Sequence, residues 1–161
     1  MKRIFLCMMT AMGCSAQTFT KLYDFSGTES GAPWANPSAP LVQGTDGNLY
    51  LTTPGGAHGA GAVLKIASGG VSTLYSFCSQ SECSDGEKVY AGLVRGANGD
   101  LYGTTQYGGA YGHGTVFALT LSGILTTLYS FCAGGYPCAD GEYPFTGLVQ
   151  AASGELYGTT Q

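Results

Sequence analysis

Four cysteines form two pairs that recur at matching places along the chain. Cys78 and Cys83 follow a Leu-Tyr-Ser-Phe segment, and Cys132 and Cys138 follow a second copy of it. An earlier, related segment is followed by no cysteine at either matching position. Joint presence or absence is typical of a bonded pair, so we predict a disulfide within each loop, as is common in exported proteins. The alternatives are free or cross-repeat thiols and a zinc site that pools four thiolates, although the spacing is not the usual CxxC.

Two histidines lie in glycine-rich loops, where they could ligate a metal or transfer protons. When the loops are aligned, His58 matches Tyr111 and His113 matches Ala60, so the histidines are not equivalent. Neither loop contains a carboxylate. Both loops also lead into predicted strands, whereas a phosphate-binding loop leads into a helix. We therefore predict no catalytic residue, no metal ligand and no cofactor, and expect the glycines to allow a close loop between strands.

Aromatic side chains in the predicted loops are the remaining candidates for ligand contact. Their rings could stack on sugars or bury in a partner protein, and packing between repeats is the alternative. These candidates are Trp34, Tyr107, Tyr111, Tyr136 and Tyr143.

Most of the chain is a tandem repeat, and this repeat must position the loops. Leu-Tyr-Asp-Phe at 22–25 returns as Leu-Tyr-Ser-Phe at 74–77 and 128–131. Leu-Tyr-Leu-Thr-Thr at 49–53 likewise returns as Leu-Tyr-Gly-Thr-Thr at 101–105 and 156–160, so the offsets are 52 to 55 residues. We divide the repeat domain, residues 17–161, into units at about 26–77 and 78–131 and an incomplete unit at 132–161.

Each unit is predicted to contain four strands joined by tight turns. In the middle copy the predicted strands are Tyr90–Arg95, Leu101–Thr105, Thr115–Leu121 and Ile124–Phe131. Asn98-Gly99 and Ser122-Gly123 supply turn residues that accept positive φ angles. Tyr129 and Phe131 share one strand face and Leu128 lies on the other, so both faces are expected to pack. The pattern predicts an all-β partial β-propeller of about three four-stranded antiparallel blades, with a β-sandwich or β-solenoid as alternatives.

The repeat resembles a known family. Gly-Leu-Val at 92–94, Gly-Asp-Leu-Tyr-Gly-Thr-Thr at 99–105 and Gly-Thr-Val-Phe at 114–117 are similar to the GloVer tandem repeat of exported bacterial proteins. The first copy departs from the pattern, since Leu51 replaces a glycine and one residue is missing beside Pro54. The resemblance implies export and a repeat architecture, and it carries no catalytic residues.

The N-terminus is predicted to be an export signal. Basic Lys2-Arg3 precedes an apolar run at 4–12 and small residues at 13–16, which together predict a signal peptide at 1–16. Alternatively, Ala-Met-Gly-Cys at 11–14 is a lipobox-like sequence, in which Cys14 would be lipidated and anchor the protein. The signal run is too short to cross a bilayer, and no other segment is apolar enough to do so.

Composition restricts the function further. Ten acidic residues outnumber six basic ones and give a net charge of −4, which argues against nucleic acid as a partner. We predict a non-catalytic secreted or cell-surface interaction module whose ligand is a glycan or a protein. The alternative is a fragment of a β-propeller enzyme that acts on polysaccharide. The strands are too few to close a propeller ring, so open sheet edges could also support self-association.

Overall fold

The computed structural model describes Lys21, Tyr23, Phe25, Pro37 and residues 39–161. The predicted signal peptide at 1–16, Cys14 and Trp34 lie outside the described residues. The described part contains three antiparallel sheets and a short 3-10 turn at Ser81–Cys83, which confirms the all-β prediction. Within this part, no helix is both long enough and apolar enough to cross a membrane.

The first two sheets are four-stranded meanders with the same construction. The first consists of β1 Val42–Gln43, β2 Leu49–Thr53, β3 Ala62–Ala67 and β4 Gly70–Ser76, each paired with the next. The second consists of β5 Val94–Arg95, β6 Leu101–Thr105, β7 Thr115–Leu119 and β8 Leu125–Ser130. The register shifts between Val63 and Leu64 in one sheet and between Val116 and Phe117 in the other. These positions are equivalent, so the two units share even this local irregularity of the backbone.

The third sheet is a two-stranded hairpin at the C-terminal end. It pairs β9 Val149–Gln150 with β10 Leu156–Tyr157. These strands correspond to the first two strands of each larger sheet. All three hairpins turn through a glycine with positive φ, at Gly47, Gly99 and Gly154. A residue with a side chain rarely adopts this backbone conformation, which explains why glycine recurs there.

Polar side chains reinforce each of these hairpin turns. In the first, Asp46 accepts hydrogen bonds from Asn48 Nδ2 at 2.7 Å, Tyr50 Oη at 2.7 Å and Lys65 Nζ at 2.9 Å. The hydrogen bond from Asn48, followed by those from Lys65 and Tyr50, holds the pKa of Asp46 well below its usual range. In the second turn the acid and amide exchange places, and Asn98 donates to Asp100 at 2.7 Å.

The main core lies between the first two sheets. Tyr50 and Val63 point from the first sheet towards Leu101 and Phe117 of the second, and all four are fully buried. Phe77, at the end of β4, packs on Phe117 with ring centroids 5.0 Å apart. The second sheet therefore packs on the face of the first.

The same stacking step is repeated towards the third sheet. Thr52 Oγ1 donates to the carbonyl of Ala91 at 2.9 Å, and Thr104 Oγ1 donates to the carbonyl of Thr146 at 3.1 Å. Thr52 and Thr104 are equivalent positions of successive units. The hydrogen bond is thus a repeated link between one unit and the next.

The outermost strands differ from the sequence expectation. We expected both faces of the 124–131 strand to pack, but Ile124, Leu128 and Tyr129 are all exposed. Strand β8 is an edge strand paired only with β7 among the described strands, and side chains on its outer part meet solvent. Burial on both faces is found in an inner strand of the first sheet, β2, where four of the five residues are buried.

Candidate functional site

A short segment after each cysteine loop, here called the linker, contains Glu87 and Lys88 in the first case and Glu142 and Tyr143 in the second. Its backbone bonds to the glycine-rich loop of the preceding unit. In the first junction, Lys88 donates its backbone N–H to Ala60 O at 2.6 Å, while Glu87 and Tyr107 exchange two backbone hydrogen bonds. In the second, Tyr143 donates its backbone N–H to His113 O at 2.9 Å. We call the region around this second contact the seam, comprising residues 107–114 and 132–143.

Glycine is required where the seam loop turns back on the preceding strand. Gly114 has a φ of +99°, and a Cβ built there would lie 2.5 Å from Thr105 O and 2.7 Å from Pro144 Cδ. Gly61 occupies the equivalent position in the first unit and meets Val89 in the same way. The glycine-rich loops therefore allow a close approach of backbone segments.

The cysteine loops border the linkers. The structure has two cysteine pairs at disulfide distance, Cys78 with Cys83 and Cys132 with Cys138, with Cα atoms 4.0 and 4.4 Å apart. The first cysteine of each pair has a positive φ, 58° at Cys78 and 68° at Cys132. The two loops are thus equivalent in conformation as well as in sequence position.

An aspartate organises each cysteine loop. Asp140 accepts hydrogen bonds from Tyr129 Oη at 2.6 Å and from the backbone N–H groups of Cys132 and Ala133 at 3.1 and 3.2 Å. The Tyr129 hydroxyl, together with these N–H groups, lowers the pKa of Asp140. Since these contacts occupy both carboxylate oxygens, Asp140 has a structural role beyond that of an ordinary Asp-Gly turn residue.

Asp85 holds the same position in the first cysteine loop and is almost completely buried. It accepts hydrogen bonds from Tyr75 Oη and Ser79 Oγ, both at 2.8 Å, and from the Ser79 backbone at 3.0 Å. Burial raises the pKa of Asp85, but the hydrogen bonds from Ser79 and Tyr75 outweigh burial and lower it overall.

All four aromatic candidates that the structure describes belong to the seam. Tyr107 and Tyr143 have ring centroids 5.2 Å apart, although they lie far apart in sequence. Tyr143 also packs on His113, with centroids 5.2 Å apart and ring planes inclined by 34°. Tyr107 and Tyr111 are 40% and 51% exposed, so both present accessible surface. Tyr136 is 87% exposed on the cysteine loop and has no ring contact among the described residues.

The seam also contains a carboxylate beside His113. His113 Nδ1 lies 2.8 Å from Glu142 Oε2, and both side chains are about a quarter exposed. Glu142 lies 29 residues further along the chain, outside the loop of His113, so the absence of a carboxylate from that loop did not predict the pair. A usable signal was available, because Asp-Gly-Glu recurs at 85–87 and 140–142 after each cysteine pair.

A shallow cleft separates the second sheet from the C-terminal hairpin. Its volume is about 310 Å³, and Val116, Phe131, Pro144 and Leu148 form much of its apolar wall. Among the described residues that line it, Asp140 is the one carboxylate. Because the oxygens of Asp140 already accept hydrogen bonds, the cleft does not contain the two free carboxylates that glycoside hydrolysis uses.

Comparison with known proteins agrees with the repeat structure. None of the curated proteins compared with the chain matches it. The family model of the Gloeobacter/Verrucomicrobia repeat matches residues 8–161, which include every strand described above. The chain therefore belongs to the Gloeobacter/Verrucomicrobia repeat family.

Proposed function

We propose that the chain is an exported, non-catalytic binding protein whose units are blades of a β-propeller and whose seam binds a glycan. The observation that carries this proposal is the clustering of Tyr107 and Tyr143 at the junction between units, with the exposed Tyr111 in the same loop. These rings come from a glycine-rich loop and from the linker that crosses it. They form one surface of the folded protein, although they lie in separate units of the sequence.

The chemistry of this surface suits a neutral sugar polymer. Tyrosine rings combine an apolar face that can stack on the C–H groups of a sugar ring with a hydroxyl that can bond its oxygens. The acidic side chains of the seam, Asp140 and Glu142, are already bonded within the protein, so the seam offers few ionic contacts to a ligand. A repeating polymer would also match a protein that presents similar loops at successive units.

The state of the acidic groups supports binding over hydrolysis. Glycosidases need one carboxyl group that can donate a proton and a second that acts as a base or nucleophile. The pKa of Asp140 is lowered, so this group is ionised at neutral pH and its oxygens bond to Tyr129 and the backbone. Glu142 is paired with His113.

The propeller and export parts of the proposal rest on the sheets and the cysteines. Four-stranded antiparallel meanders that stack face to face are the building blocks of propellers, and the repeated Thr52 and Thr104 contacts show the same stacking step twice. Cysteine pairs at disulfide distance are typical of proteins from oxidising compartments.

Affinity gel electrophoresis against soluble β-glucan, xylan and mannan tests the proposal. At least one polymer should retard the full chain, and Y107A and Y143A should each weaken binding by about tenfold, as expected for truncated aromatic contacts. Tyr157→Ala is the matched control, because Tyr157 is 59% exposed in β10 and lies outside the seam.

Two results would oppose the proposal. One is that no polymer retards the wild-type chain; the other is that Y157A weakens retardation as much as Y107A does. A glycan-hydrolysing activity that persists in every preparation would instead favour an enzyme.

A further inference from the structure

The second cysteine pair is faced by two other side chains that commonly ligate metals. A ring nitrogen of His113 and the Sγ atoms of Cys132 and Cys138 lie within 4.8 Å of one another. Glu142 Oε2 lies 3.5 Å from Cys138 Sγ and 2.8 Å from His113 Nδ1. Two sulfurs and one nitrogen are therefore gathered at the seam, and a carboxylate oxygen lies beside the nitrogen and one of the sulfurs.

This arrangement differs from a catalytic cysteine relay. In a relay, one imidazole nitrogen contacts the nucleophile and the other contacts the orienting carboxylate. Here Cys138 Sγ and Glu142 Oε2 both approach the same atom, His113 Nδ1, at 3.8 and 2.8 Å. The three side chains are thus grouped without the alignment of a relay, and sulfur, imidazole nitrogen and carboxylate oxygen are all donors that zinc accepts.

We propose that reduction of the Cys132–Cys138 disulfide converts the seam into a zinc site formed by Cys132, Cys138, His113 and Glu142. Zinc prefers four ligands in a tetrahedron, with sulfur, imidazole nitrogen and carboxylate oxygen as its common donors. With bonds of about 2.0–2.3 Å, tetrahedral ligand atoms lie roughly 3.3–3.8 Å apart. The distances from Cys138 Sγ to Glu142 Oε2 and to His113 Nδ1, 3.5 and 3.8 Å, already fall in this range. To complete the site, Glu142 Oε2 must move away from His113 Nδ1, and the two sulfurs must separate once their bond is reduced.

The surrounding structure keeps the ligands together when the disulfide opens. Asp140 binds the backbone N–H groups of Cys132 and Ala133, which fixes the start of the cysteine loop without using either sulfur. The backbone hydrogen bond from Tyr143 to His113 holds the linker against the histidine loop. Tyr143 also packs against the imidazole ring and limits its movement.

The reductant is an external dithiol or phosphine. A phosphine takes up the oxygen of one water molecule and becomes a phosphine oxide, while the two hydrogens of that water complete the two thiols. A dithiol transfers two electrons and two protons to the protein disulfide, which becomes two thiols while the dithiol becomes a disulfide. Binding of Zn²⁺ to the thiols then releases two protons, because the thiolate is the form that ligates the metal. Reoxidation by an external disulfide, which accepts two electrons and becomes two thiols, re-forms the Cys132–Cys138 bond, removes both sulfur ligands and releases the ion.

The first cysteine pair lacks one of the four ligands and provides an internal comparison. Glu87 matches Glu142 in the repeat, but Ala60 occupies the position of His113. Ala60 is buried and offers no ligand atom in its side chain. Reduction of Cys78–Cys83 should therefore leave a weaker, incomplete site.

Metal titration of the reduced full chain tests the proposal. The protein is reduced with a phosphine under argon, and Zn²⁺ affinity is measured by competition with a chromophoric chelator. Co²⁺ is used in parallel, because thiolate-to-cobalt charge transfer and the visible bands of tetrahedral cobalt report the ligand set. We expect one tight site in the reduced protein and none in the oxidised protein.

Single-ligand variants assign the site. His113→Ala leaves every thiol unchanged and should weaken Zn²⁺ binding by at least about tenfold, the lower limit of what even supporting residues of metal sites contribute. Glu142→Gln should weaken it as well, whereas C78S/C83S should retain the tight site. If H113A does not fold, as judged by circular dichroism, His113→Asn replaces it.

Three outcomes would overturn the proposal. They are the absence of a tight site in the reduced wild-type protein, equal affinity in the reduced wild-type and H113A proteins, and loss of the tight site in a folded C78S/C83S variant.

Discussion

The hydroxyl of Thr52 donates a buried hydrogen bond to the carbonyl oxygen of Ala91, 39 residues away in the next unit. The donor is on β2, and the acceptor lies just before β5. Thr104 repeats this contact with Thr146, so one side chain per unit links each sheet to the segment that follows. Removing the hydroxyl should therefore lower the free energy of unfolding by the contribution of this hydrogen bond at each interface.

Replacing Thr52 by Val should destabilise the fold by about 1–3 kcal/mol. The change keeps the branched shape of the side chain but leaves the Ala91 carbonyl without its buried donor, and an unpaired buried polar group costs about this much. Urea unfolding followed by circular dichroism measures the difference. Thr104→Val should cost less, because the Thr104–Thr146 hydrogen bond is only partly buried. A T52V variant as stable as the wild type would show that the hydrogen bond contributes nothing to the interface.

Truncation of Phe117 should lower the free energy of unfolding more than the Thr52 replacement does, because Phe117 is a core residue. Phe117 is fully buried between the first two sheets and packs on Phe77. Phe117→Ala removes that contact and leaves a cavity, for which the typical cost is about 3–5 kcal/mol. Leu128→Ala is the control, since Leu128 is 49% exposed on the edge strand β8 and should change the free energy of unfolding little. Similar losses in both variants would contradict the position of the core between the two sheets.

The hydrogen-bonded carboxylate of Asp85, in the first cysteine loop, predicts a pH-dependent contribution to stability. The pKa of Asp85 is lowered in the folded protein, so its stabilising effect is complete above the pKa of the unfolded chain, about 3.9, and is lost as the pH falls through the lower, folded value. Asp85→Asn removes the charge and should cost about 2 kcal/mol at pH 7, because the hydrogen bonds to Asp85 are charge-assisted. Urea unfolding at several pH values should show the gap between wild type and D85N shrinking below about pH 4.

Asp140→Asn is the comparison for that experiment. Asp140 holds the equivalent position but is more exposed, so its replacement should cost less at neutral pH. A difference between wild type and D85N that stays constant from pH 7 to pH 3 would show that the Asp85 charge is unimportant.

Two glycines of the seam loop allow the cost of a positive φ to be measured apart from the cost of a steric overlap. Gly112 and Gly114 both have positive φ, +80° and +99°, but a Cβ at Gly112 meets nothing within 4 Å. Gly112→Ala should therefore cost only the backbone penalty of roughly 1–2 kcal/mol, whereas Gly114→Ala should cost more because of the overlap with Thr105 O. Thermal unfolding of the two variants measures the difference. Equal melting temperatures would mean that Gly114 is not closely packed.

Much of the fold was predictable, because the sequence repeats its strands and turns at a constant interval. Leu101–Thr105 agrees with β6 at both ends, and the predicted Asn98-Gly99 turn contains the positive φ that Gly99 adopts. The predicted strand Tyr90–Arg95 is shorter in the structure, where β5 covers only Val94–Arg95. The carbonyl of Ala91 instead bonds Thr52 of the previous unit, a partner that local propensity could not reveal.

The seam was less predictable, because it is assembled from segments of different units. Tyr107 and Tyr143 were candidates individually, but nothing local indicated that they meet. The pairing of His113 with Glu142 depends on the linker that joins the two loops, and a search for carboxylates within the histidine's own loop could not find it. Comparison of equivalent positions was the better guide, since Asp-Gly-Glu follows both cysteine pairs.

The backbone contacts of the linkers have a consequence for the duplication and divergence of units. Glu87 and Tyr107 exchange backbone hydrogen bonds, and Glu142 and Gln161 do the same one unit later. These contacts use only main-chain atoms, so a duplicated unit inherits its coupling to its neighbours whatever side chains it carries. Side chains at positions such as His113 and Ala60 are then free to diverge, and a single array can acquire different chemistry at each of its junctions.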